Sequence, residues 1–295
     1  MVSINDTQHN GIVTYREMGR NGRLANQLFQ IAATIAYGLD HNKSFVFPEW
    51  VYSKYMKKEL PVGELSKWMN VPCQFHYDPI EDIPGTDVSL CNGHMQSEKY
   101  FKHHWETIKP YITIKDEYKD RILEKYGRLL EAKKKTCSIH VRLTDYQNPI
   151  NIDYHGIMPE EYYRESIKAL YGTENPQDVC FLIFSDNIDL CKPMFQYLYD
   201  VVFIYPDDSI VPKMKDFSGL PMGNGDLTDA FLMSYCIDHI IVNSSFGWWG
   251  AFLGEHPNKR VVAPLHWFNK APIDYKDVVP DGWIKIDNHN LPKKK

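Results

Sequence analysis

The stretch Cys137–Tyr146 contains the residue types best suited to chemistry, and it reads Cys-Ser-Ile-His-Val-Arg-Leu-Thr-Asp-Tyr. Its apolar half predicts a buried strand, and its polar half falls where strands of open α/β sheets meet their ligands. His140 and Arg142 are two residues apart, so on a strand they point to the same side. An imidazole and a guanidinium that project together suit a phosphate or a carboxylate. A core histidine beside a surface arginine is the alternative, and this stretch alone favours it.

Three further polar clusters follow apolar runs, at Gly19–Gln27, Ser185–Asn187 and Asn243–Trp249. Because the carboxyl ends of parallel strands lie along one edge of a sheet, we expect the last two to converge with His140–Tyr146. In Asn243–Trp249 a predicted strand runs through Asn-Ser-Ser into a helix, which places hydroxyls and amides at an anion-binding helix start. An ordinary serine N-cap is the alternative. Asp229 faces the same edge, either as an acceptor for the N–H groups of a guanine or as a surface charge.

Several kinds of site are absent from the sequence. The twelve histidines form no H-E-x-x-H, and Asp207-Asp208 is not followed by clear ligand spacing, so we expect no metal and no cofactor. There is no G-x-S-x-G and no cysteine in an activating context, which argues against hydrolase chemistry through a nucleophile. The Gly19–Gln27 loop lacks both common phosphate-binding glycine patterns. Asn26 and Gln27 open a predicted helix and are able to hydrogen-bond a sugar or phosphate.

Alternating strands and helices must position these clusters. Apolar residues recur every three or four positions from Leu24 to Leu39, which predicts a helix after a strand at Ile12–Tyr15. In the second half we predict strands at Cys137–Val141, Cys180–Phe184, Val201–Tyr205, Ile240–Val242 and Arg260–Ala263, and helices near 159–172, 227–236 and 246–253. A glycine-rich loop at 219–225 precedes the second of these helices. This alternation is typical of a doubly wound α/β fold.

Length and composition narrow the class of protein. The 295 residues exceed one typical core, which predicts two domains, and the basic end of an amphipathic helix at Lys133–Lys135 suggests the boundary. The net charge of −5 argues against a nucleic-acid partner. The six cysteines are scattered, the start at Met1–Asn10 is polar, and no apolar run approaches ~18 residues. These features predict a cytoplasmic protein without a signal peptide or a transmembrane segment.

Taken together, the clusters resemble the α-1,2-fucosyltransferases of glycosyltransferase family 11. The resemblance rests on Gly22–Gln30 (family G-x-L-G-N-Q-[LM]-F-Q), Gln96–Phe101, His140–Tyr146 (family H-x-R-R-G-D-Y), Phe184–Asn187 and Asn243–Leu253. It implies an α/β, GT-B-like fold with two Rossmann-like domains facing a cleft. Residues 1–135 would be the acceptor-side domain and 136–295 the nucleotide-sugar-binding domain, with a C-terminal tail that packs back on the first.

The resemblance also implies a reaction: inverting, metal-independent transfer of fucose from GDP-fucose to the 2-hydroxyl of a galactose in a glycan acceptor. GDP-fucose would be the donor substrate, and no cofactor would be needed. A lipid-linked acceptor would bring the protein to the inner face of the membrane. Two alternatives remain open, namely transfer from another nucleotide sugar and a catalytically silent glycan-binding protein of the same fold.

Residue roles follow from the same resemblance. The donor-binding residues would be His140 and Arg142 at the pyrophosphate, Asn243, Ser244, Ser245 and Phe246 at the helix start, Asp229 at the guanine, and Asp186 and Asn187 near the nucleotide. Asn26 and Gln27 would lie in the cleft, on the acceptor side. Arg142 would be catalytic. By their position after the strand, Asp145 and Asp153 are the candidates for the general base, and a structural cap is the alternative role of Asp145. Three residues depart from the family pattern. Leu143 replaces the second arginine, so the leaving group meets one cation fewer. Thr144 replaces the glycine of the same motif, and Ala25 replaces a glycine of the first motif.

Overall fold

The computed structural model describes residues 10–20, 22–131, 135–207, 209–211 and 225–292, and the side chain of Asp145 is not described. The polar start before Asn10, the lysines at 133 and 134, Asp208, and the glycine-rich loop up to residue 224 lie outside the described residues. The chain forms two compact units. The first contains the described residues up to 116 together with 276–278, and the second contains those from 117 to 211, from 225 to 275 and from 279 onward.

The first unit is built on a four-stranded parallel sheet. Its elements are β1 (Ile12–Thr14), α1 (Leu24–Asp40), β2 (Ser44–Phe45), β3 (Met69–Pro72), β4 (Val88–Cys91) and α2 (Trp105–Ile112), with strand order β2-β1-β4-β3. Helix α1 is almost wholly buried along its length. The segment 276–278 belongs to this unit, where the Asp277 carboxylate accepts a hydrogen bond of 3.1 Å from the Tyr77 N–H.

The second unit is built on a six-stranded parallel sheet in the order β10-β9-β8-β5-β6-β7. Its elements are α3 (Asp116–Glu131), β5 (Lys135–Val141), α4 (Pro149–His155), α5 (Glu160–Tyr171), β6 (Val179–Ser185), α6 (Ile188–Cys191), β7 (Val201–Ile204), α7 (Asp226–Ser234), β8 (Asp238–Ile240), α8 (Ser245–Phe252), β9 (Arg260–Pro264) and β10 (Ile284–Ile286). Strand β5 is central and pairs in register with β6, Cys137 opposite Phe181 and His140 opposite Phe184. Such near-continuous apolar strands are typical of parallel sheets buried on both faces.

The α/β class and the doubly wound pattern of the second half are confirmed. Residues 117–131 of helix α3 belong to the second unit, and the expected domain boundary at residue 135 stays a prediction. Arg121 donates to the Ser209 carbonyl at 2.6 Å, and Lys125 donates to the Asp207 carboxylate at 2.6 Å. The roles of the two domains stay predictions.

Sequence patterns missed the shortest elements. Helix α4 was not among the elements predicted from the sequence. Asn148 caps it, since its side chain accepts a hydrogen bond from the Ile150 N–H, and Pro149 opens it. Strand β10 has only three residues and is exposed along most of its length. Among the described helices, none is long and apolar enough to cross a membrane.

Candidate functional site

The carboxyl end of strand β5 brings two of the expected donor-binding residues to one edge of the second sheet. His140 lies inside the strand and is buried, and its ring centroid is 5.5 Å from that of Phe246. Burial, reinforced by Arg142 and opposed by Asp186, lowers the pKa of His140 to about 3. The imidazole is therefore neutral at physiological pH and brings no positive charge to the site. Its Nδ1 atom is buried and has no hydrogen-bond partner among the described residues.

Arg142 lies one residue beyond the end of β5, so strand alternation does not fix its direction. Asp186, which follows β6, holds the segment instead. Its carboxylate accepts from the backbone N–H groups of Leu143 at 2.9 Å and Thr144 at 3.0 Å and from the Thr144 hydroxyl, and it lies 3.4 Å from Arg142 Nε. Burial alone would raise the pKa of Asp186, but these hydrogen bonds and the Arg142 charge lower it. Asp186 is therefore an ionised anchor that orients the arginine segment.

Leu143 stands where the family has its second arginine, and the structure shows where its side chain lies. Its side chain is buried in the apolar core of the second unit. An arginine at this position would have to place its charge in that core or rearrange the segment, so replacing the family's second arginine with leucine removes a cation and adds an apolar anchor.

The start of helix α8 packs against β5. Ser244 caps this helix, since its hydroxyl accepts a hydrogen bond of 3.4 Å from the Phe246 N–H, and Ser245 opens it. Gly247 in the first turn lies against His140, because a Cβ atom there would stand 2.8 Å from His140 Nδ1. First-turn amides carry the positive end of the helix dipole, which suits a phosphate. The expected convergence of His140–Tyr146, Ser185–Asn187 and Asn243–Trp249 is confirmed by the contacts of Asp186 with Leu143 and of His140 with Phe246.

Asp229 sits in the first turn of α7 with a carboxylate oxygen, Oδ1, that is buried and has no hydrogen-bond partner among the described residues. Burial, together with the charges of Asp226 and Asp207, raises its pKa well above the ordinary aspartate range. A solvated surface carboxylate would show neither property. This burial does not fit the alternative of a solvated surface charge, and the guanine-binding role of Asp229 stays a prediction.

Two further expected donor-binding residues have structural contacts. Both N–H groups of the Asn243 side chain are engaged, since Nδ2 donates to the carbonyls of His155 at 2.7 Å and Trp267 at 3.0 Å. The Asn187 side chain caps α6 by accepting from the Leu190 N–H at 3.1 Å. These amides hold the loops that carry Asp186 and Ser244.

The two candidates for the general base differ in placement. Asp145 opens a short 3₁₀ turn, Asp145–Gln147, directly after the Arg142 segment. Asp153 lies on α4, where its side chain is 67 % exposed and Oδ1 is 2.7 Å from Lys270 Nζ. An exposed carboxylate in an ion pair is typical of an ordinary surface contact.

The first unit places Asn26 and Gln27 at the start of α1. Gln27 is buried with both ends of its amide engaged: Nε2 donates to the Gly22 carbonyl at 2.9 Å and Oε1 accepts from Trp50 Nε1 at 2.8 Å. Asn26 Oδ1 accepts a hydrogen bond of 2.9 Å from Gln96 Nε2. Gln96 was part of the Gln96–Phe101 motif but was not among the expected site residues. Gln27 therefore supports the loop, whereas Asn26 and Gln96 present a paired amide beside it.

Comparisons with known proteins agree with this architecture. The family model described as glycosyl transferase family 11 matches residues 8–287. An alpha-1,2-colitosyltransferase of Escherichia coli is 28% identical, and the match covers 90% of this chain and 97% of that protein. The human galactoside alpha-(1,2)-fucosyltransferase 1 is 21% identical over 79% of this chain and 64% of its own length.

The fold also matches a solved structure. The crystal structure of the NodZ alpha-1,6-fucosyltransferase co-crystallised with GDP superposes with a TM-score of 0.50 at 15% identity, covering 84% of this chain and 93% of that chain. This likeness confirms the GT-B-like fold class. Since the family model covers nearly the whole chain, the chain belongs to glycosyl transferase family 11 and is a glycosyltransferase of the α-1,2-fucosyltransferase kind.

Proposed function

We propose that this chain transfers fucose from GDP-fucose, with inversion and without a metal ion, to the 2-hydroxyl of a galactose in a glycan acceptor. The observation that carries the proposal is the packing of the end of β5 against the start of α8, through the contacts of His140 with Phe246 and Gly247. This packing brings a guanidinium and helix-start amides to one edge of the same sheet. That combination of cation and amide donors is what a metal-free pyrophosphate site requires.

Arg142 and the start of α8 supply the charge stabilisation in this proposal. As the bond from the anomeric carbon to the β-phosphate oxygen lengthens, negative charge builds on the departing GDP. Arg142, oriented by the ionised Asp186, and the first-turn amides of α8 meet that charge in positions fixed before the reaction. His140 is neutral and serves as a packing surface and hydrogen-bonding group.

Asp145 is our choice for the general base that removes the proton of the acceptor hydroxyl. It follows directly on the Arg142 segment, whereas Asp153 is tied to Lys270 at an exposed position. Asp145→Asn should abolish turnover of acceptor with little effect on GDP binding, and Asp153→Asn should leave turnover near normal. The opposite pattern would exchange the two assignments.

The α-1,2 linkage is supported by two relatives, the E. coli colitosyltransferase and the human galactoside fucosyltransferase, whose names both specify it. The first of these favours a second candidate donor, a nucleotide-linked colitose, because it aligns over 97% of its own length. Leu143 is compatible with either donor, since it lies in the core rather than at the pyrophosphate. We place fucose first because the family resemblance and the human relative both point to it.

The deciding experiment incubates the purified chain with GDP-fucose and with GDP-colitose in parallel, in the presence of galactose-terminated acceptors. Mass spectrometry detects the product and NMR establishes its linkage and anomeric configuration. We expect an α-1,2-linked fucosyl product that forms equally well with excess EDTA. A colitosyl product alone would select the second donor, and loss of activity with EDTA that Mg²⁺ or Mn²⁺ restores would overturn metal independence. Product from a lipid-linked acceptor and not from the free glycan would support transfer at the membrane surface.

A further inference from the structure

Three side chains of the first unit converge on one point of the surface, outside every residue assigned to the transferase site. Asp40 is the last residue of α1, and His103 and His104 lie in the 3₁₀ turn Lys102–His104 that precedes α2. Asp40 Oδ1 lies 3.0 Å from His103 Nε2 and 2.8 Å from His104 Nε2. The three ligand atoms all lie within 4.8 Å of one another.

We propose that Asp40, His103 and His104 form a binding site for a divalent transition-metal ion, with Zn²⁺ the best fit. Two imidazole nitrogens and one carboxylate oxygen are a common zinc ligand set, and water completes the tetrahedron. With ligand bonds of about 2.0 Å, tetrahedral donors lie about 3.3 Å apart. The two separations from Asp40 Oδ1, 2.8 and 3.0 Å, therefore need to open by only a few tenths of an ångström, and the two imidazole ligand atoms, which lie within 4.8 Å of each other, must reach the same spacing.

The backbone that carries the ligands is held in place before any metal binds. Phe101, directly before the histidine turn, is fully buried, and its ring centroid is 6.2 Å from that of Phe29 on α1. The His104 N–H also donates to the Phe101 carbonyl at 3.0 Å. The turn and the helix are thus fixed relative to each other, so that little ordering entropy opposes binding. The neighbouring His41 is not a ligand, because its Nε2 is 3.1 Å from the Ile80 carbonyl and its ring contacts Tyr37.

The site is distinct from the proposed chemistry in the same unit. Asp40 lies fourteen positions after Asn26 on one continuous helix, which separates the two ends of α1 by about 21 Å. The ligand side chains are 38 %, 47 % and 29 % exposed, so an ion reaches them from solvent. Zinc here would fasten the end of α1 to the turn before α2, and we expect it to act on stability and not on the transfer reaction.

The test uses untagged full-length protein, stripped with EDTA and dialysed, so that no polyhistidine competes for metal. Calorimetric titration with ZnCl₂ should show about one ion per chain, and Co²⁺ should give the intense visible bands of a tetrahedral site with imidazole ligands. Zinc should also raise the thermal midpoint by a few degrees. The His103→Gln/His104→Gln double variant and Asp40→Asn should each bind at least tenfold more weakly, on the order of the loss seen for changes around metal ligands.

The chain contains a matched control in its second unit. His266, His289 and Asp287 also cluster at the surface, with the two rings stacked at 4.0 Å and 8°, but within the described part of the chain only Asp40, His103 and His104 bring three ligand atoms within 4.8 Å of one another. The His266→Gln/His289→Gln variant should therefore keep the zinc stoichiometry and the thermal shift. Equal zinc binding by the wild type and the His103/His104 double variant, or no binding at micromolar zinc, would overturn the proposal. Either result leaves the EDTA test of transfer untouched, because that test measures product and not bound metal.

Discussion

At the scale of single residues, the structure separates side chains that can meet a ligand from those that hold the loops. Gln27 and Asn243 have their amide N–H groups engaged with backbone carbonyls, and Asn187 caps a helix. Arg142 and Asp229 are different. The first is a cation oriented by an ionised carboxylate, and the second has a buried oxygen with no partner in the described part of the chain. These two residues should therefore respond most sharply to substitution.

Arg142→Lys should lose turnover on the order of 10²-fold at saturating donor, although the charge is kept. The planar guanidinium can face the Asp186 carboxylate with Nε and still direct other N–H groups elsewhere, which a single ammonium cannot do. The measurement is the initial rate of product formation, with circular dichroism to confirm folding. Near-normal turnover would show that Arg142 acts only as a point charge.

Asp229→Asn should stabilise the ligand-free protein, and more so at neutral than at acidic pH. Because burial and the neighbouring carboxylates raise the pKa of Asp229, the folded chain holds a proton that the unfolded chain releases. The stability of the wild type therefore falls as the pH rises above the ordinary aspartate range, and the variant lacks this loss. Chemical denaturation at pH 4 and at pH 7 measures the difference.

The same variant tests guanine recognition. Asp229→Asn should narrow the preference for GDP over UDP by about 1–3 kcal/mol, the scale of a hydrogen bond to a charged group, because the guanine N–H groups favour the ionised carboxylate once the nucleotide is bound. Asp189→Asn is the control, because the Asp189 side chain is 81 % exposed. Stability curves with the same pH dependence in the wild type and Asp229→Asn, or an unchanged nucleotide preference, would contradict the assignment.

At the scale of elements, the site depends on how closely α8 approaches β5. Gly247 permits this approach because it has no Cβ atom where the His140 ring lies. Asp186 fixes the segment after β5 in a similar way, by accepting two backbone N–H groups from residues 143 and 144. The geometry of the site is thus set by contacts between βα units that are neighbours in the sheet, and not by any one loop.

Gly247→Ala should destabilise the second unit by about 1–3 kcal/mol, the usual cost of overpacking, and should lower activity. The added methyl group would stand 2.8 Å from His140 Nδ1 and 3.1 Å from the His140 Cβ, so the helix or the ring must move. Gly127→Ala in α3 is the matched control. Nothing lies within 4 Å of a Cβ there, and replacing a helical glycine should add about 0.5–1 kcal/mol of stability. Urea denaturation of both variants checks the contrast, and equal effects would contradict it.

At the scale of the whole molecule, the two parallel sheets and their helices bury the cysteine thiols. All six cysteines are buried and none is in a disulfide bond, and four of them lie in the second unit. Burial raises the pKa of Cys73 to about 12 and that of Cys191 to about 11. Both properties make the thiols poor nucleophiles in the folded protein.

The native protein should therefore show little reaction with an aromatic disulfide reagent, whereas six thiols should react in guanidinium chloride. Absorbance of the released thiolate gives both counts. Rapid labelling of two or more cysteines in the native state would mean that one of the units opens readily. Activity with and without a reducing agent should be the same, because no disulfide forms in the folded chain.

The sequence by itself determined the class of the fold and predicted which polar clusters of the second unit lie at one edge of its sheet. Apolar residues that recur every three or four positions, and continuous apolar runs, are local signals. Helices α1 and α8 and the central strands β5 and β6 could therefore be located from the pattern alone. Parallel strands end at one edge of a sheet, which is why the convergence of His140–Tyr146, Ser185–Asn187 and Asn243–Trp249 could be expected without coordinates.

Only the tertiary structure decided which polar groups were already occupied and which residues met across long separations. Nothing local shows that Gln27 bonds Trp50, that Leu143 enters the core, or that the Asp229 oxygen is buried without a partner. Asp40 meets His103 across 63 positions, so no ligand spacing could reveal the proposed zinc site. Hydrogen-bond occupancy, burial and metal geometry depend on neighbours in space, and the fold alone supplies those neighbours.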